Sequence, residues 1–286
     1  MRMAPDTPDT LTDAATQALL LTGAAGALGC VLRLPLGRLC GGGQPYAALR
    51  LSDRAAFAQP AGTHEQESPC ELADRTAMES LLQGVAAVVH LGGVAVESPF
   101  EPICEANIRG VFHLYEAARL AGTRRIVLAS SNHVSGCYAQ GQSIGPADLP
   151  RPDGYYGVSK LFAEQMAQLY WDRYGIESVC LRLGTVAAEP QDRRALSTWL
   201  SFGDLERLVL AALSAKDVGC LTVYGVSANP ARWWSEAGWA QLGYRPQDSA
   251  EAWREQVQQL GQPADSPMAR LQGGSFLGLG PFERQP

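Results

Sequence analysis

The chain has 286 residues, with 23 Lys+Arg against 29 Asp+Glu and a net charge of −6. Apolar residues make up 46% and charged residues 18%. This profile excludes a disordered chain, and the lack of any basic cluster excludes a sequence-independent nucleic-acid binder. No apolar run approaches the ~20 residues that cross a bilayer, which leaves a soluble, glycine-rich α/β domain with a large core.

Residues 1–17 carry Asp and Pro without a basic-then-apolar signal pattern and read as a flexible leader. Short apolar runs follow at Ala18–Thr22, Tyr46–Leu51, Ala86–Leu91, Arg125–Ser130, Ser178–Leu183 and Thr222–Gly225. Such runs are strands buried on both faces, as in a parallel sheet. Between them lie helical stretches at Thr76–Leu82, Ile103–Ala121, Val158–Tyr174 and Leu205–Ala212. Strand alternating with helix predicts a Rossmann-like, doubly wound sheet. The first helix starts near Ala27 but contains Pro35, which lacks an N–H and clashes one turn back, so it kinks or ends early. Cys40–Gly43 is then a loose connection. One large domain covers residues 18–260, with a first part at 18–183 and a smaller portion at 184–260, before an irregular Pro/Gly-rich tail at 261–286. Seven cysteines, an odd number without C-x-x-C spacing, read as reduced and mostly buried thiols with no metal site. They point to the cytoplasm.

The first strand runs into TGAAGALG at 22–29. Gly23 suits a tight turn, Gly26 a close backbone approach to a pyrophosphate, and Gly29 close helix–sheet packing. The helix start offers free N–H groups and a dipole to phosphate. Asp53 ends the second strand, 24 residues after Gly29, and can accept from ribose hydroxyls while repelling a 2′-phosphate, which favours NAD. Arg54 beside it could accommodate that phosphate. A glycine-rich turn that binds nothing is the bland alternative.

Tyr156 and Lys160 lie four apart at the start of a helix and share one face. A neighbouring ammonium favours the phenolate, so the pair can remove a hydroxyl proton as hydride leaves. Ser130, Ser131, Asn132 and His133 end the fourth strand, at the sheet edge where ligands sit. Arg194, or Arg193 beside it, is the candidate cation for an anionic substrate. His64, His90 and His113 read as structural, and Trp233, Trp234 and Trp239 as core, with sugar stacking as the alternative.

At this point the chain resembles the extended short-chain dehydrogenase/reductase family, on TGAAGALG, Asp53, Glu71-Leu72, HLGG at 90–93, NIRG at 107–110, Ser130-Ser131 and YGVSK at 156–160. The resemblance implies Ser131, Tyr156 and Lys160 as the catalytic group. It implies cofactor contacts at Gly23, Gly26, Ala27, Leu28, Gly29, Asp53, Glu71, Leu72, Leu91, Gly92, Gly93, Asn107 and Thr185, besides Tyr156 and Lys160. Glu71 stands where that family usually has Asp. The stretches HLGGVAVESPFE, ASSNHVSGCY, RPDGYYGVSK, AEPQDRRALSTWLS and YGVSANPARWW resemble the family's uronate dehydrogenase branch. That resemblance implies NAD-dependent oxidation of galacturonate or glucuronate at C1 to the aldarolactone. Substrate contacts are implied at Ser131, Asn132, His133, Tyr156, Thr185 and Arg194, with Ala95 where relatives carry Ser. It also implies a homo-oligomer, because the helices bearing Phe112, Tyr115, Phe162 and Tyr170 commonly pair across a two-fold. A nucleotide-sugar epimerase or dehydratase needs a C-terminal domain for a nucleoside diphosphate, and only 103 residues follow Leu183. A non-catalytic NAD-binding regulator has no need of Tyr156 and Lys160.

Overall fold

A computed structural model describes residues 17–260 and 265–280. The expected leader lies outside the described residues apart from Gln17, as does part of the expected tail. The elements run β1 (Ala18–Thr22), α1 (Ala27–Gly37), β2 (Ala48–Ser52), β3 (Glu65–Glu67), α2 (Arg75–Leu81), β4 (Val85–His90), α3 (Phe100–Ile103), α4 (Gly110–Ala121), β5 (Arg125–Ser131) and α5 (Tyr155–Tyr174). Then follow β6 (Glu177–Leu183), β7 (Thr185–Val186), α6 (Ala195–Thr198), β8 (Trp199–Leu200), α7 (Phe202–Ser214), β9 (Cys220–Gly225), α8 (Trp239–Leu242), α9 (Arg254–Gln259) and α10 (Pro267–Arg270).

The main sheet is parallel throughout, in the order β3-β2-β1-β4-β5-β6-β9. Both faces are covered, which is why its strands are nearly continuous apolar runs. Leu19 and Leu21 of β1 join one core, and Ala18 and Leu20 the other. The strand order reverses between β1 and β4, and the crevice above that switch point is where an open α/β sheet takes its ligand.

Helix α1 ends at Gly37, two residues after Pro35, as the missing N–H requires. The expected helix over Ile103–Ala121 begins earlier, at Phe100, and contains a π-helical turn at Cys104–Arg109. Strand β3 has no apolar signal because it is an edge strand of Glu-Gln-Glu. The small β7–β8 pair is too short for a period to register.

The described part of the tail is not an irregular appendage. Leu271 bridges Ala139, Gly273 N donates to Gly136 O at 2.8 Å, and a 3-10 turn covers Gly274–Gly278. All seven cysteines are free, but Cys30 is exposed and only Cys40, Cys70 and Cys180 are fully buried. Trp233, Trp234 and Trp239 are core, with Trp234 stacked on Tyr224 at 5.0 Å.

Beneath the sheet edge, Arg182 donates to both carboxylate oxygens of Glu164 at 2.9 and 2.8 Å. Ser130 Oγ donates to the same carboxylate at 2.6 Å. This buried pair ties α5 to β5 and β6, so the helix carrying Tyr156 and Lys160 is fixed against the strand carrying Ser131.

Candidate active site

The glycine loop follows β1 as three distinct steric demands. Gly23 has φ +69°, and a Cβ there would sit 2.8 Å from the backbone of Leu91 and Gly92. A Cβ on Gly29 would meet Gly23 O at 2.3 Å, so only glycine lets α1 pack this close. Gly26 is exposed, and a Cβ there would meet only Gly23 O within 4 Å, at 3.2 Å. No side chain caps α1 and no acid lies in its first turn, so its first N–H groups and dipole are free for an anion.

Asp53 accepts from Ala25 N and Ala55 N, both at 3.0 Å. The carboxylate thereby fixes the loop and stands at its edge. Arg54 is 78% exposed and sits 3.9 Å from Glu71, a rim pair in water. Thr22 Oγ1 lies 2.7 Å from His90 Nδ1 and accepts from Gly92 N at 3.2 Å, tying β1 to the turn after β4. Burial holds His90 near pKa 3 and therefore neutral.

Helix α5 reaches the end of β5 through Gly157, where a Cβ would meet His133 O at 2.3 Å. Tyr156 is buried, and burial pushes its phenol up to about 12, with a Ser131 hydrogen bond offsetting part of the rise. Burial outweighs the pull expected of the Lys160 ammonium on this phenol. Lys160 Nζ sits 5.5 Å from the ring centroid and donates to Ala129 O at 2.9 Å. Its own burial lowers the ammonium to about 8.

On the opposite wall, Arg194 Nη1 donates to Thr185 Oγ1 at 2.9 Å and Thr198 Oγ1 at 3.3 Å, while Nε donates to Gln272 O at 2.6 Å. Asn132, oriented to satisfy both ends of its amide, donates to Leu183 O at 3.0 Å and accepts from Arg194 Nη2 at 2.9 Å. Arg193 turns away to the carbonyls of Leu260 and Gln258, so that Arg194 is the one of the two that lines the cavity. His133 Nδ1 lies 2.7 Å from the buried Asp153 carboxylate. A carboxylate accepts, so Nδ1 carries the proton and Nε2 is the free ring nitrogen.

These residues converge. Every residue expected at the site except Asn107 lines one cavity of about 1140 Å³. Asn107 stands behind it, on the π-helical turn. Its Oδ1 accepts from Val94 N at 2.8 Å, and its Nδ2 donates to Val94 O and Ser159 Oγ at 3.0 Å. It holds the loop after Gly93 to α5 and does not face the cleft.

Three residues of the site escaped sequence reasoning. Glu97 accepts from Tyr155 N and Tyr156 N at 2.9 and 2.8 Å, capping α5 at the reactive tyrosine. Asp153 orients His133. Phe276, from the tail, stacks on His133 at 3.7 Å and lines the cavity. Glu97 had a local signal, an acid in a Gly/Pro-rich segment, but its partner helix begins 58 residues on.

A glycine cradle with an acid at its edge, facing a buried Ser-Tyr-Lys group at a sheet switch point, defines a nicotinamide-dependent oxidoreductase. The NAD dependent epimerase/dehydratase family model matches residues 19–213. A uronate dehydrogenase of Pseudomonas syringae pv. tomato is 52% identical over 92% of this chain and 94% of its own. A glucuronic acid dehydrogenase structure from Chromohalobacter salexigens has a TM-score of 0.87 at 42% identity, covering 92% of this chain and 97% of that one. A uronate dehydrogenase variant from Agrobacterium tumefaciens, solved in complex with NAD, also has a TM-score of 0.87, at 43% identity over 94% and 100%. The chain belongs to the NAD dependent epimerase/dehydratase family and, within it, to the uronate dehydrogenases.

Proposed function

We propose that the chain oxidises a free hexuronic acid, galacturonate or glucuronate, at C1 to the aldarolactone. The observation that carries this reading is Arg194, a partly buried guanidinium on the cavity wall of a chain with net charge −6. An acidic protein that binds an anion needs such a local cation, and a planar guanidinium suits a carboxylate. Thr185, Asn132 and His133 beside it offer hydrogen bonds to sugar hydroxyls.

Gly23, Gly26, Ala27, Leu28 and Gly29 would hold the pyrophosphate of NAD. Asp53 would take its ribose hydroxyls, and Glu71, Leu72 and Leu91–Gly93 would flank the rest. The oxidised cofactor would supply the hydride acceptor for C1 and a positive charge. Tyr156 Oη takes the C1 hydroxyl proton. Ser131 Oγ orients that hydroxyl, and Lys160 Nζ favours the phenolate that Tyr156 must become. Without that added charge the phenol stays protonated near 12, so base strength is coupled to cofactor occupancy.

We place the cofactor half at residues 18–183 and the substrate-capping portion within 184–260, with residues 265–280 adding to it. A homo-oligomer fits the apolar residues on α4 and α5. Tyr115 and Tyr170 are core, whereas Phe112, Val158 and Leu169 are 43%, 52% and 44% exposed; light scattering measures the assembly. Among the described residues no helix is long and apolar enough to cross a membrane, and the free thiols fit the cytoplasm.

The deciding experiment follows NADH absorbance with free galacturonate, glucuronate and a UDP-sugar panel. Turnover of the uronates is expected. Turnover of a UDP-sugar with none for the uronates overturns the reading.

A further inference from the structure

The tail returns to the cleft through one residue. Gln272 is fully buried, and every polar atom of its side chain is paired. Its Oε1 accepts from Trp234 Nε1 at 2.9 Å. Its Nε2 donates to Ala139 O at 3.1 Å and Gln142 O at 2.8 Å. Its backbone N donates to Tyr138 O at 2.8 Å, which leaves its carbonyl pointing at Arg194 Nε, 2.6 Å away. The next residues preserve that contact. Gly274 has φ +62°, and a Cβ there would lie 2.7 Å from Arg194 Cδ.

We propose that Gln272 is a positioning residue for substrate affinity: its buried amide holds the tail so that its carbonyl fixes the Arg194 guanidinium toward the cleft. The inference rests on the reading of Arg194 as the carboxylate holder and adds what orients it. Arg194 has rotatable bonds along its whole stem, and an unanchored arginine loses affinity to side-chain entropy. Thr185, Thr198 and Asn132 grip only the two terminal nitrogens. Gln272 O is the one acceptor at Nε among the described residues, and it sets the plane of the fork. Sequence gives no hint of this pairing, since 78 positions separate the partners.

The test measures kcat and both KM values by NADH absorbance for Gln272→Ala, Gln272→Glu, Arg194→Ala and the double variant Gln272→Ala/Arg194→Ala. Gln272→Ala raises the uronate KM about tenfold, with the NAD KM within about twofold and kcat within about threefold. A purely structural defect instead reduces the active fraction, lowering kcat with both KM values unchanged. Gln272→Glu keeps the acceptor for Trp234 Nε1 but buries an oxygen against two carbonyls, and a KM rise at least as large as that of Gln272→Ala is expected. If Gln272→Ala fails to fold, this isosteric variant carries the test. Coupling is the decisive readout. In an Arg194→Ala background, Gln272→Ala adds less than about threefold to the uronate KM, because what it positions is gone. Three results overturn the proposal: an unchanged uronate KM in folded Gln272 variants, a parallel rise in both KM values, or single effects that multiply in the double variant. An unchanged KM in Arg194→Ala sinks the carboxylate reading and this inference with it. A raised KM there beside an unchanged one in Gln272→Ala sinks this inference alone.

Discussion

The two walls of the cleft are made of different material. The wall above β1 and β2 is main chain: glycines that admit close approach, helix N–H groups and one carboxylate that fixes the loop. The wall above β6 is side chain: Asn132, Thr185 and Arg194, backed by Thr198 and Gln272. The first needs a spacing of glycines within one turn, and its shape follows from sterics alone. The second exists only after β5, β6, β7 and the tail have packed together. A main-chain wall therefore suits a cofactor shared by a whole family, and a side-chain wall suits the substrate that distinguishes one member. Tyr156 and Lys160 stand at the seam.

Breaking the seam is expected to give the largest effect. Tyr156→Phe removes the proposed proton acceptor and leaves both walls standing. Turnover falls at least ~10³-fold, while NADH affinity, read by fluorescence titration, changes by less than about threefold. A matching loss of NADH affinity would mean that the tyrosine belongs to the cofactor wall.

Lys160 tests what the seam costs the fold. Burial moves its ammonium from 10.5 to about 8. At about 1.4 kcal/mol per tenfold, the charged form strains the cofactor-free protein by about 3 kcal/mol at neutral pH. The folded value lies below the unfolded one, so the unfolded chain holds more protons between them and stability rises as pH climbs from 8 to 10.5. Lys160→Met is expected to raise Tm at pH 7, with the gain shrinking above pH 8, while activity is lost. A lower Tm at pH 7 would show that the bond to Ala129 O outweighs the buried charge.

The same contrast explains what could be read from the sequence. The glycine loop, Asp53 and the Tyr–Lys pair are local strings with local physics, and six of the nine strands among the described residues were visible as apolar runs. Pro35 announced the short first helix. The π-helical turn was invisible because an apolar pattern does not register one extra residue. Arg194 was legible only as one of two adjacent arginines, and tertiary packing decided between them. Asp153, Gln272 and Phe276 carried no local signal, and that of Glu97 could not name its partner, since each acts on a group brought close by the fold. Phe276 and Gln272 sat in a stretch whose Pro and Gly content reads as loose chain.

Breaking the substrate wall comes next in size. Arg194→Ala is expected to raise the uronate KM about 50-fold, or roughly 2.3 kcal/mol, with the NAD KM unchanged. Arg193→Ala, whose side chain faces the carbonyls of Leu260 and Gln258, leaves both KM values within about twofold. Equal effects from the two arginines would erase the distinction drawn by their geometry.

The smallest effect tests the main-chain wall from its one charged member. Asp53→Asn keeps the shape but removes the charge, and it places an NH2 group opposite one of two backbone donors, Ala25 N or Ala55 N. One loop contact is lost and the repulsion of a 2′-phosphate disappears. Arg54 is free to turn, because among the described residues its one ion partner is Glu71, 3.9 Å away in solvent. The NAD KM should rise about tenfold while the NADP KM falls, since a neutral amide beside a mobile arginine accepts a phosphate that a carboxylate rejects. The uronate KM, measured at saturating NAD, should stay within about twofold. If it rises with the NAD KM, the walls are one coupled unit and the loop held by Asp53 reaches the substrate side. If only the cofactor constants move, the walls are separable, and cofactor choice can be altered without touching the residues proposed to hold the sugar acid.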